Sequence, residues 1–383
     1  MPGRSLAGGV VAALVLVAGL GLALPTPPEP WRADELARIA SLGPWPPPEA
    51  RDPSNRVSGR AEAVALGEAL FHSTRLSTVG GLRCASCHEP WRRFTDGRAR
   101  ARGAAEGARN TPTLLDVRLQ RWFGWDGGND SLWSQSIRPM LDPREMHADA
   151  AHVAAALRDD ATLRPLYLAA FGHAPPADDE TALVDAGKAL AAYQETLVSG
   201  RTPFDAFRDA LGRGDAAVAA RYPAAAQRGL RLFVGRGGCI ACHGGPGFSD
   251  GDFHASRIAS TLHDGAPDAG RSLGLEKLRT SAYARGGRFA DAAGTAPPLV
   301  PRPAPPGAFR TPGLRELVAT APYMHDGSVA NLCDALKPHA AREGQTPPAL
   351  SLAERRDVVA FLRSLGDGQT HEALTDEDAL SCR

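Results

Sequence analysis

Two short cysteine motifs are the residues of this chain best suited to chemistry. Each has two cysteines separated by two residues and followed at once by a histidine: Cys84-Ala85-Ser86-Cys87-His88 and Cys239-Ile240-Ala241-Cys242-His243. With this spacing the two thiols can form thioethers to both vinyl groups of one haem, and the histidine can reach the iron as an axial ligand. The motifs therefore predict two covalently attached c-type haems.

Cysteine pairs of this spacing also occur in structural zinc sites and in thioredoxin-like redox centres. Neither of those sites needs a histidine directly after the second cysteine. Because both copies here carry that histidine and have matching flanks, haem attachment is the favoured interpretation.

Two of the six cysteines, Cys333 and Cys382, lie outside the motifs. An oxidising compartment would permit a disulfide that ties the C-terminal end to the second half of the chain. The alternative is one buried thiol and one terminal thiol. The sequence leaves both possibilities open.

Length and charge set broad limits. The 383 residues suit about two domains of ordinary size. The 43 basic and 43 acidic residues balance, so the composition predicts no nucleic-acid partner and no polybasic membrane contact.

The first residues are typical of a secretion signal. Arg4 precedes an apolar stretch over residues 6–24, and a proline-rich segment ends at Pro28. We predict a signal peptide over residues 1–28 and a mature protein in the periplasm. The alternative is an uncleaved anchor, because no clean A-x-A cleavage site is visible.

Segments on either side of the cysteine motifs recur in the same order in both halves. This repetition predicts two duplicated cytochrome c-like domains, over residues 29–215 and 216–383, each with one haem. The matching segments are 65–71 with 228–233, 94–97 with 248–251, 109–114 with 309–314, and 125–127 with 325–327.

Local patterns predict an all-α fold with long irregular loops. Apolar residues recur at helical spacing, and strand patterns are almost absent. Proline-rich segments at 42–53 and 295–307 are expected to be loops. The predicted helices cover residues 61–71, 148–157, 185–197, 224–233 and 353–365.

Several further motifs carry a family resemblance: the two CxxCH motifs, residues 110–113 and 125–127, Gln135, Pro139, residues 145–146, and residues 321–327. On these residues the chain resembles the bacterial dihaem cytochrome c peroxidase and MauG family. Residues 52–59 resemble the MbnH-like subgroup, whose namesake enzyme oxidises a tryptophan of a partner copper-binding protein to kynurenine.

The resemblance implies roles for individual residues. His88 and His243 match the proximal haem ligands, and Trp125 matches the tryptophan that relays electron holes between the haems. The distal pocket of the first haem is matched by Gln135, Pro139 and Glu145, with Glu145 as the acid and base for peroxide. A calcium site between the domains is matched by Asn110, Thr320 and Pro322. 

Two of these assignments have a plainer alternative. Trp125 lies near Trp122, Phe123 and Trp133, and such a cluster would otherwise be read as core. Glu145 alone would be read as a solvated carboxylate near the start of a helix.

Two departures from the family pattern bear on function. Residues 89–113 contain no histidine or methionine that could close the first haem, so that haem is expected to be open to peroxide. The family has Met or Tyr as the second axial ligand of the other haem, and at that place the family register puts His339 in this chain. A helix-end histidine is the alternative reading of His339, and Met324 and His325 are rival ligands.

The resemblance therefore implies an enzyme that uses hydrogen peroxide to form a bis-Fe(IV) state. This state would oxidise a residue of a secreted metal-binding partner, for example a tryptophan to kynurenine. A copper-binding protein is one such partner. The alternative is a cytochrome c peroxidase that reduces hydrogen peroxide with electrons from a c-type cytochrome. A dihaem electron carrier is disfavoured because carriers usually fill both axial positions.

Overall fold

The computed structural model describes residues 29–49, 51–255, 257–291, 300–337, 349–367 and 382. Backbone contacts divide the chain into two units, Met1–Trp31 and Arg32–Arg383. Only residues 29–31 of the first unit are described, and they contain no helix or strand. The predicted signal peptide over residues 1–28 and the predicted haem ligand His339 lie outside the described residues.

The described part of the chain is mostly helical, which confirms the main part of the predicted fold class. No described helix has the length and apolar character needed to cross a bilayer. The helices are α1 (Ala33–Ala40), α2 (Ala61–His72), α3 (Leu132–Leu141), α4 (Ala150–Asp159), α5 (Leu163–Phe171), α6 (Asp179–Gln194), α7 (Pro203–Arg213), α8 (Ala216–Ala219), α9 (Ala224–Val234), α10 (Arg271–Thr280), α11 (Leu332–Ala335) and α12 (Leu352–Arg363).

One small sheet departs from the all-α prediction. Strands β1 (Phe253–Ala255) and β2 (Ala308–Arg310) pair antiparallel, with Phe253 opposite Arg310 and Ala255 opposite Ala308. Three residues are too few to show an alternating pattern in the sequence. The pairing depends on contacts between segments far apart in the chain.

Two helix pairs form the centres of two apolar cores. Helix α2 packs on α6, and α9 packs on α12. A Cβ atom on Gly67 would lie 2.0 Å from the Ala189 carbonyl oxygen, and one on Gly229 would lie 1.9 Å from the Asp357 carbonyl oxygen. Glycine at these two positions therefore permits the close approach of each helix pair.

The helix predictions agree with the structure except at some ends. Helices α2, α9 and α12 match the predicted spans to within two residues. Helix α4 begins later than predicted because Asp149 caps it, accepting a hydrogen bond from the His152 N–H. Helix α6 begins six residues before the predicted Asp185, since Asp178 caps a polar first turn that hides the apolar pattern.

A disulfide joins Cys333 of α11 to Cys382, with a Cα separation of 5.3 Å. Both half-cystines are buried. Of the two possibilities that the sequence leaves open, the structure has the disulfide. The division into two cytochrome c-like domains at residue 215 stays a prediction.

Candidate functional site

The first cysteine motif forms a tight turn over Cys84–Ser86 that presents His88. The His88 Nδ1 atom lies 3.0 Å from the Phe94 carbonyl oxygen. A carbonyl cannot donate, so Nδ1 must carry the proton and the lone pair must be on Nε2. This is the tautomer that a haem iron requires of an Nε2 ligand.

The second motif repeats this geometry. A tight turn over Cys239–Ala241 presents His243, and its Nδ1 lies 3.0 Å from the Phe248 carbonyl oxygen. Phe94 and Phe248 both have a positive φ, 59° and 55°, which turns each carbonyl towards its histidine. Both predicted ligands are therefore held in the same tautomer by the same kind of loop.

The four motif cysteines are free of disulfides and half-buried. Burial raises the pKa of Cys84 to about 12 and that of Cys87 to about 11. Within the described ranges, the one group of three potential ligand atoms within 4.8 Å of each other is Cys242, Asp250 and His254. Among those residues, no group offers the four ligands of a structural zinc site.

Trp125 is held from two directions. Its indole Nε1 donates to the Asn110 carbonyl oxygen at 2.9 Å, and its own carbonyl oxygen accepts from the Arg310 backbone N–H at 2.9 Å. The Asn110 N–H in turn donates to the His325 carbonyl oxygen at 2.8 Å. The predicted relay tryptophan thus lies where matching segments of the two halves meet.

Asp126 anchors the loop that carries Trp125. Its buried carboxylate lies 2.7 Å from Arg109 Nη1 and 2.8 Å from Lys277 Nζ. Burial alone would raise the pKa of Asp126, but Arg109 and Lys277 outweigh it and hold that pKa well below its ordinary value. The carboxylate is therefore ionised and binds the loop to α10.

Gly127 completes this anchor. Its φ of 63° lies in the left-handed region, and a Cβ atom would lie 2.3 Å from the Phe253 ring. Glycine is required here both by the backbone angle and by the close aromatic ring. The Trp-Asp-Gly sequence is thus explained by ion pairing and by packing.

The predicted distal residues Gln135 and Pro139 lie on α3, and Glu145 follows that helix. The Gln135 side-chain oxygen accepts from Asn129 Nδ2 at 2.8 Å. The Glu145 carbonyl oxygen accepts from the Ala104 N–H at 2.9 Å, which places Glu145 beside the segment that follows the first motif.

Electrostatic coupling also places Glu145 near the first haem motif. Burial lowers the pKa of His88, and the negative charge of Glu145 acts in the opposite direction. Glu145 therefore lies within electrostatic range of His88. That Glu145, Gln135 and Pro139 form a distal pocket stays a prediction.

Arg138 is a site residue that the sequence analysis did not identify. It lies on α3 between Gln135 and Pro139, and its guanidinium binds both Glu145 and Asp142. The charge of Glu145 raises the pKa of Arg138. Its position three residues after Gln135 is the signal that could have revealed it, since residues three apart share a helix face.

Arg310 is a second residue that sequence reasoning missed. It is buried, and among the described residues no carboxylate lies within ion-pair distance of it. Its side chain donates to the carbonyl oxygens of Gly124 and Thr311, at 3.4 and 3.2 Å. Burial lowers the pKa of Arg310 to about 10. A buried cation without an anion fits a group that carries propionates, such as haem.

The predicted calcium ligands offer uncharged oxygens, which suit a hard cation. Asn110 Nδ2 donates to the Arg98 carbonyl oxygen at 2.7 Å, and Thr320 Oγ1 donates to the Leu317 carbonyl oxygen at 2.9 Å. The Asn110 backbone N–H donates to the carbonyl oxygen of His325, which follows Thr320 and Pro322 in the same loop. A calcium ion at Asn110, Thr320 and Pro322 stays a prediction.

His325, one rival ligand of the second haem, is buried in a polar and aromatic contact. Its ring stacks on Phe309 at 3.5 Å, and its Nε2 lies 2.6 Å from Ser260 Oγ. Burial lowers the pKa of His325 to about 4. Met324, the other rival, has a φ of 73°. The assignment of His339 stays a prediction.

Comparison with known proteins agrees with this geometry. The family profile described as di-haem cytochrome c peroxidase matches residues 61–212. The methylamine utilization protein MauG of Methylorubrum extorquens is 38% identical over 315 residues, covering 79% of this chain and 78% of that protein. The cytochrome-c peroxidase IdrP2 of Denitromonas iodatirespirans is 33% identical over 347 residues, covering 87% of this chain and 86% of that protein.

A solved structure is similar over most of the fold. The crystal structure of a MauG-like protein associated with microbial copper homeostasis has a TM-score of 0.61 and 27% identity, and the match covers 85% of this chain and 96% of that one. The chain belongs to the di-haem cytochrome c peroxidase and MauG family, and it is a haem-dependent oxidoreductase with two c-type haems.

Proposed function

We propose that the chain is a MauG/MbnH-like enzyme that uses hydrogen peroxide to oxidise a residue, tryptophan to kynurenine, of a metal-binding partner protein. The observation that carries this proposal is the position of Trp125, which is bonded to Asn110 on one side and to Arg310 on the other. A fixed indole between the two haem-binding halves suits transfer of oxidising equivalents without entry of the substrate into a pocket.

One haem would be held by Cys84, Cys87 and His88. The other would be held by Cys239, Cys242 and His243, and we propose that His339 also binds it. When bound, these groups would supply the reduction of peroxide and the storage of its two oxidising equivalents. The protein's part is to orient peroxide, to move its protons and to place Trp125.

Glu145 is the proposed acid and base. Its carboxylate would take the proton from one peroxide oxygen and return it to the other, a contribution of about 100-fold or more. Arg138 holds this carboxylate in place, and the Gln135 amide, fixed by Asn129, would help to orient the peroxide. Pro139 is the proposed apolar wall beside them.

The proposed domain division, 29–215 and 216–383, is supported by matching local geometry. Phe94 and Phe248 have similar positive φ values, as do Asp116 and Glu316. An internal duplication would place each of these residues at the same point of its own haem loop. We also propose that calcium bridges the two domains through Asn110, Thr320 and Pro322.

Location in the periplasm, after export by the N-terminal signal, remains part of the proposal. It accords with covalent haem attachment and with the disulfide between Cys333 and Cys382, which an oxidising compartment favours. The partner would then be another exported protein.

A cytochrome c peroxidase is the second candidate. It is favoured by the 33% identity to a protein that is itself named a cytochrome-c peroxidase. In that case a c-type cytochrome, and not a protein to be modified, would supply the electrons that reduce peroxide.

The test adds peroxide to the purified dihaem protein in two arms. In one arm, intact mass is measured for metal-binding proteins that are exported by the same cell. A gain that corresponds to kynurenine on one of them supports the proposal. In the other arm, reduced cytochrome c is supplied. Steady turnover of the cytochrome, with every candidate partner unmodified, would establish the peroxidase instead.

A further inference from the structure

Three buried tryptophans each have a cation over the indole ring. The guanidinium of Arg315 lies 3.6 Å from the ring centre of Trp45, and that of Arg271 lies 4.6 Å from that of Trp122. The Lys188 ammonium lies 5.6 Å from the ring centre of Trp133. The exposed fractions of Trp45, Trp122 and Trp133 are 2%, 8% and 0%.

Trp125 differs from these three rings. Among the described residues no lysine or arginine lies over its indole, and its Nε1 donates to the Asn110 carbonyl oxygen. Arg310 is close in the fold, but its guanidinium is directed to the carbonyl oxygens of Gly124 and Thr311. Trp122 and Trp125 are only three residues apart, yet of the two only Trp122 has a stacked cation from the described part of the chain.

A stacked cation changes how easily a ring loses an electron. It is attracted to the negative face of the neutral indole, which stabilises the reduced ring. After loss of an electron the ring is positive, and the same cation repels it. Both effects make a ring with a stacked cation harder to oxidise.

The three cations differ in how far their charge is compensated. Arg315 is paired with Asp205 through two contacts of 2.9 Å, and Lys188 is paired with Asp291 at 2.7 Å. No carboxylate among the described residues lies within ion-pair distance of Arg271. Asp126 and Asp252 attract this charge from beyond that distance and compensate it only in part, so more of its field acts on the stacked ring.

Arg271 is also rigidly placed. Its Nη1 donates to the carbonyl oxygens of Asp126 and Gly127, at 3.2 and 2.8 Å, and its guanidinium lies between the rings of Trp122 and Phe253. Burial lowers the pKa of Arg271 to about 10, which leaves it charged at neutral pH. The cation is therefore fixed over Trp122 by the same loop that carries Trp125.

We propose that Arg271 protects Trp122 from oxidation, so that oxidising equivalents pass through Trp125 and are not lost to the neighbouring indole. This inference rests on the proposed function, because that function supplies the peroxide and the oxidised haems. Arg271 is a positioning and selectivity residue. It does not itself react.

The side reaction that Arg271 would suppress is hydroxylation of the indole. One tryptophan and one hydrogen peroxide give one hydroxytryptophan and one water. The ring loses two electrons and gains one oxygen atom, and the peroxide takes up those two electrons. No further oxidant is needed for this step.

The test compares two variants of the haem-loaded protein, Arg271→Gln, which removes the charge, and Arg271→Lys, which keeps it. Each is treated with peroxide, and hydroxylation of Trp122 is measured by peptide mass spectrometry. We expect Arg271→Gln to raise Trp122 hydroxylation about tenfold or more, since 1.4 kcal/mol corresponds to a factor of ten, while Arg271→Lys stays near the wild type. Trp45 and Trp133 serve as internal references. Equal Trp122 hydroxylation in Arg271→Gln and the wild type would overturn the inference.

A second variant covers the case in which Arg271→Gln does not fold. Trp125→Phe removes the proposed relay but leaves Arg271 in place, so Trp122 should remain unmodified there. Extensive Trp122 hydroxylation in Trp125→Phe would also overturn the inference. Failure of the wild type to oxidise any partner protein would instead count against the proposed function, because indole hydroxylation within the chain needs no partner.

Discussion

Asp126 is expected to contribute a measurable part of the stability of the Trp125 loop, and Asp126→Asn tests this. The change removes the charge that faces Arg109 at 2.7 Å and Lys277 at 2.8 Å but keeps a side chain of the same shape. Only 5% of the Asp126 side chain is exposed, so the ion pairs are poorly screened by water.

The size of the loss follows from what each cation retains. Breaking a buried ion pair typically costs about 3 to 5 kcal/mol. Arg109 keeps Asp268, whose oxygens lie 2.7 Å from its guanidinium, and the Lys277 side chain is 48% exposed and can be solvated. We therefore expect Asp126→Asn to lower the free energy of unfolding by about 2 to 3 kcal/mol at neutral pH.

Asp326→Asn is a matched control. Asp326 occupies the corresponding place in the second half, and its Oδ1 accepts from the Ser328 N–H at 3.1 Å, as that of Asp126 accepts from the Gly128 N–H at 3.0 Å. Among the described residues Asp326 has no ion pair, so its replacement should change the free energy by less than about 0.5 kcal/mol.

The assay is guanidinium unfolding of the haem-loaded proteins, followed by circular dichroism from neutral to acidic pH. Because the folded-state pKa of Asp126 is lowered, its contribution is fully present above the unfolded value of about 3.9 and is lost as the pH falls through the folded value. The difference between wild type and Asp126→Asn should therefore shrink below about pH 4. Equal losses for the Asp126 and Asp326 variants at neutral pH would refute the reasoning.

Three further predictions concern other parts of the fold. Cys382→Ser should lower the free energy of unfolding by about 4 kcal/mol, the loop-closure entropy of a disulfide with a sequence separation of 49, and a reductant should lower wild-type stability similarly. An unchanged unfolding midpoint would count against a structural disulfide. Glu145→Gln should slow the reaction with peroxide about 100-fold, measured by stopped-flow absorbance. Asp142→Asn, which removes the other carboxylate bound to Arg138, should slow it only a few-fold. Similar rates for both variants would exclude Glu145 as the acid and base. Gly127→Ala should cost about 3 kcal/mol or more because an aromatic ring blocks the new methyl, whereas Gly81→Ala, also at positive φ but with open space, should cost only about 1 kcal/mol in thermal unfolding. Comparable losses would show that steric contact at Gly127 is unimportant.

Features encoded over short distances could be predicted from the sequence. The CxxCH spacing indicated two haem-binding turns, and the structure forms both, with His88 and His243 in the same tautomer. Apolar periodicity located five of the twelve described helices. The resemblance singled out Trp125 and Glu145, and the structure places Glu145 beside the segment that follows the first motif.

Features that depend on distant contacts could not be predicted. Lys277 reaches Asp126 across 151 positions, and nothing in the local pattern of α10 indicates that pairing. The cation over Trp122 comes from Arg271, far along the chain. Arg310 is buried in strand β2, which is too short to be recognised in the sequence. Such contacts depend on tertiary packing, and local propensity and residue spacing do not indicate them.

In the proposed enzyme the first haem is open to peroxide and the second is closed by a second ligand. The most direct test of this difference is the ferric electron paramagnetic resonance spectrum of the resting, haem-loaded protein. One high-spin and one low-spin signal in equal amounts are expected, because residues 89–113 contain no histidine or methionine that could close the first haem, and His339 is the proposed second ligand of the other. Two low-spin signals would contradict an open first haem and, with it, the proposed reaction with peroxide.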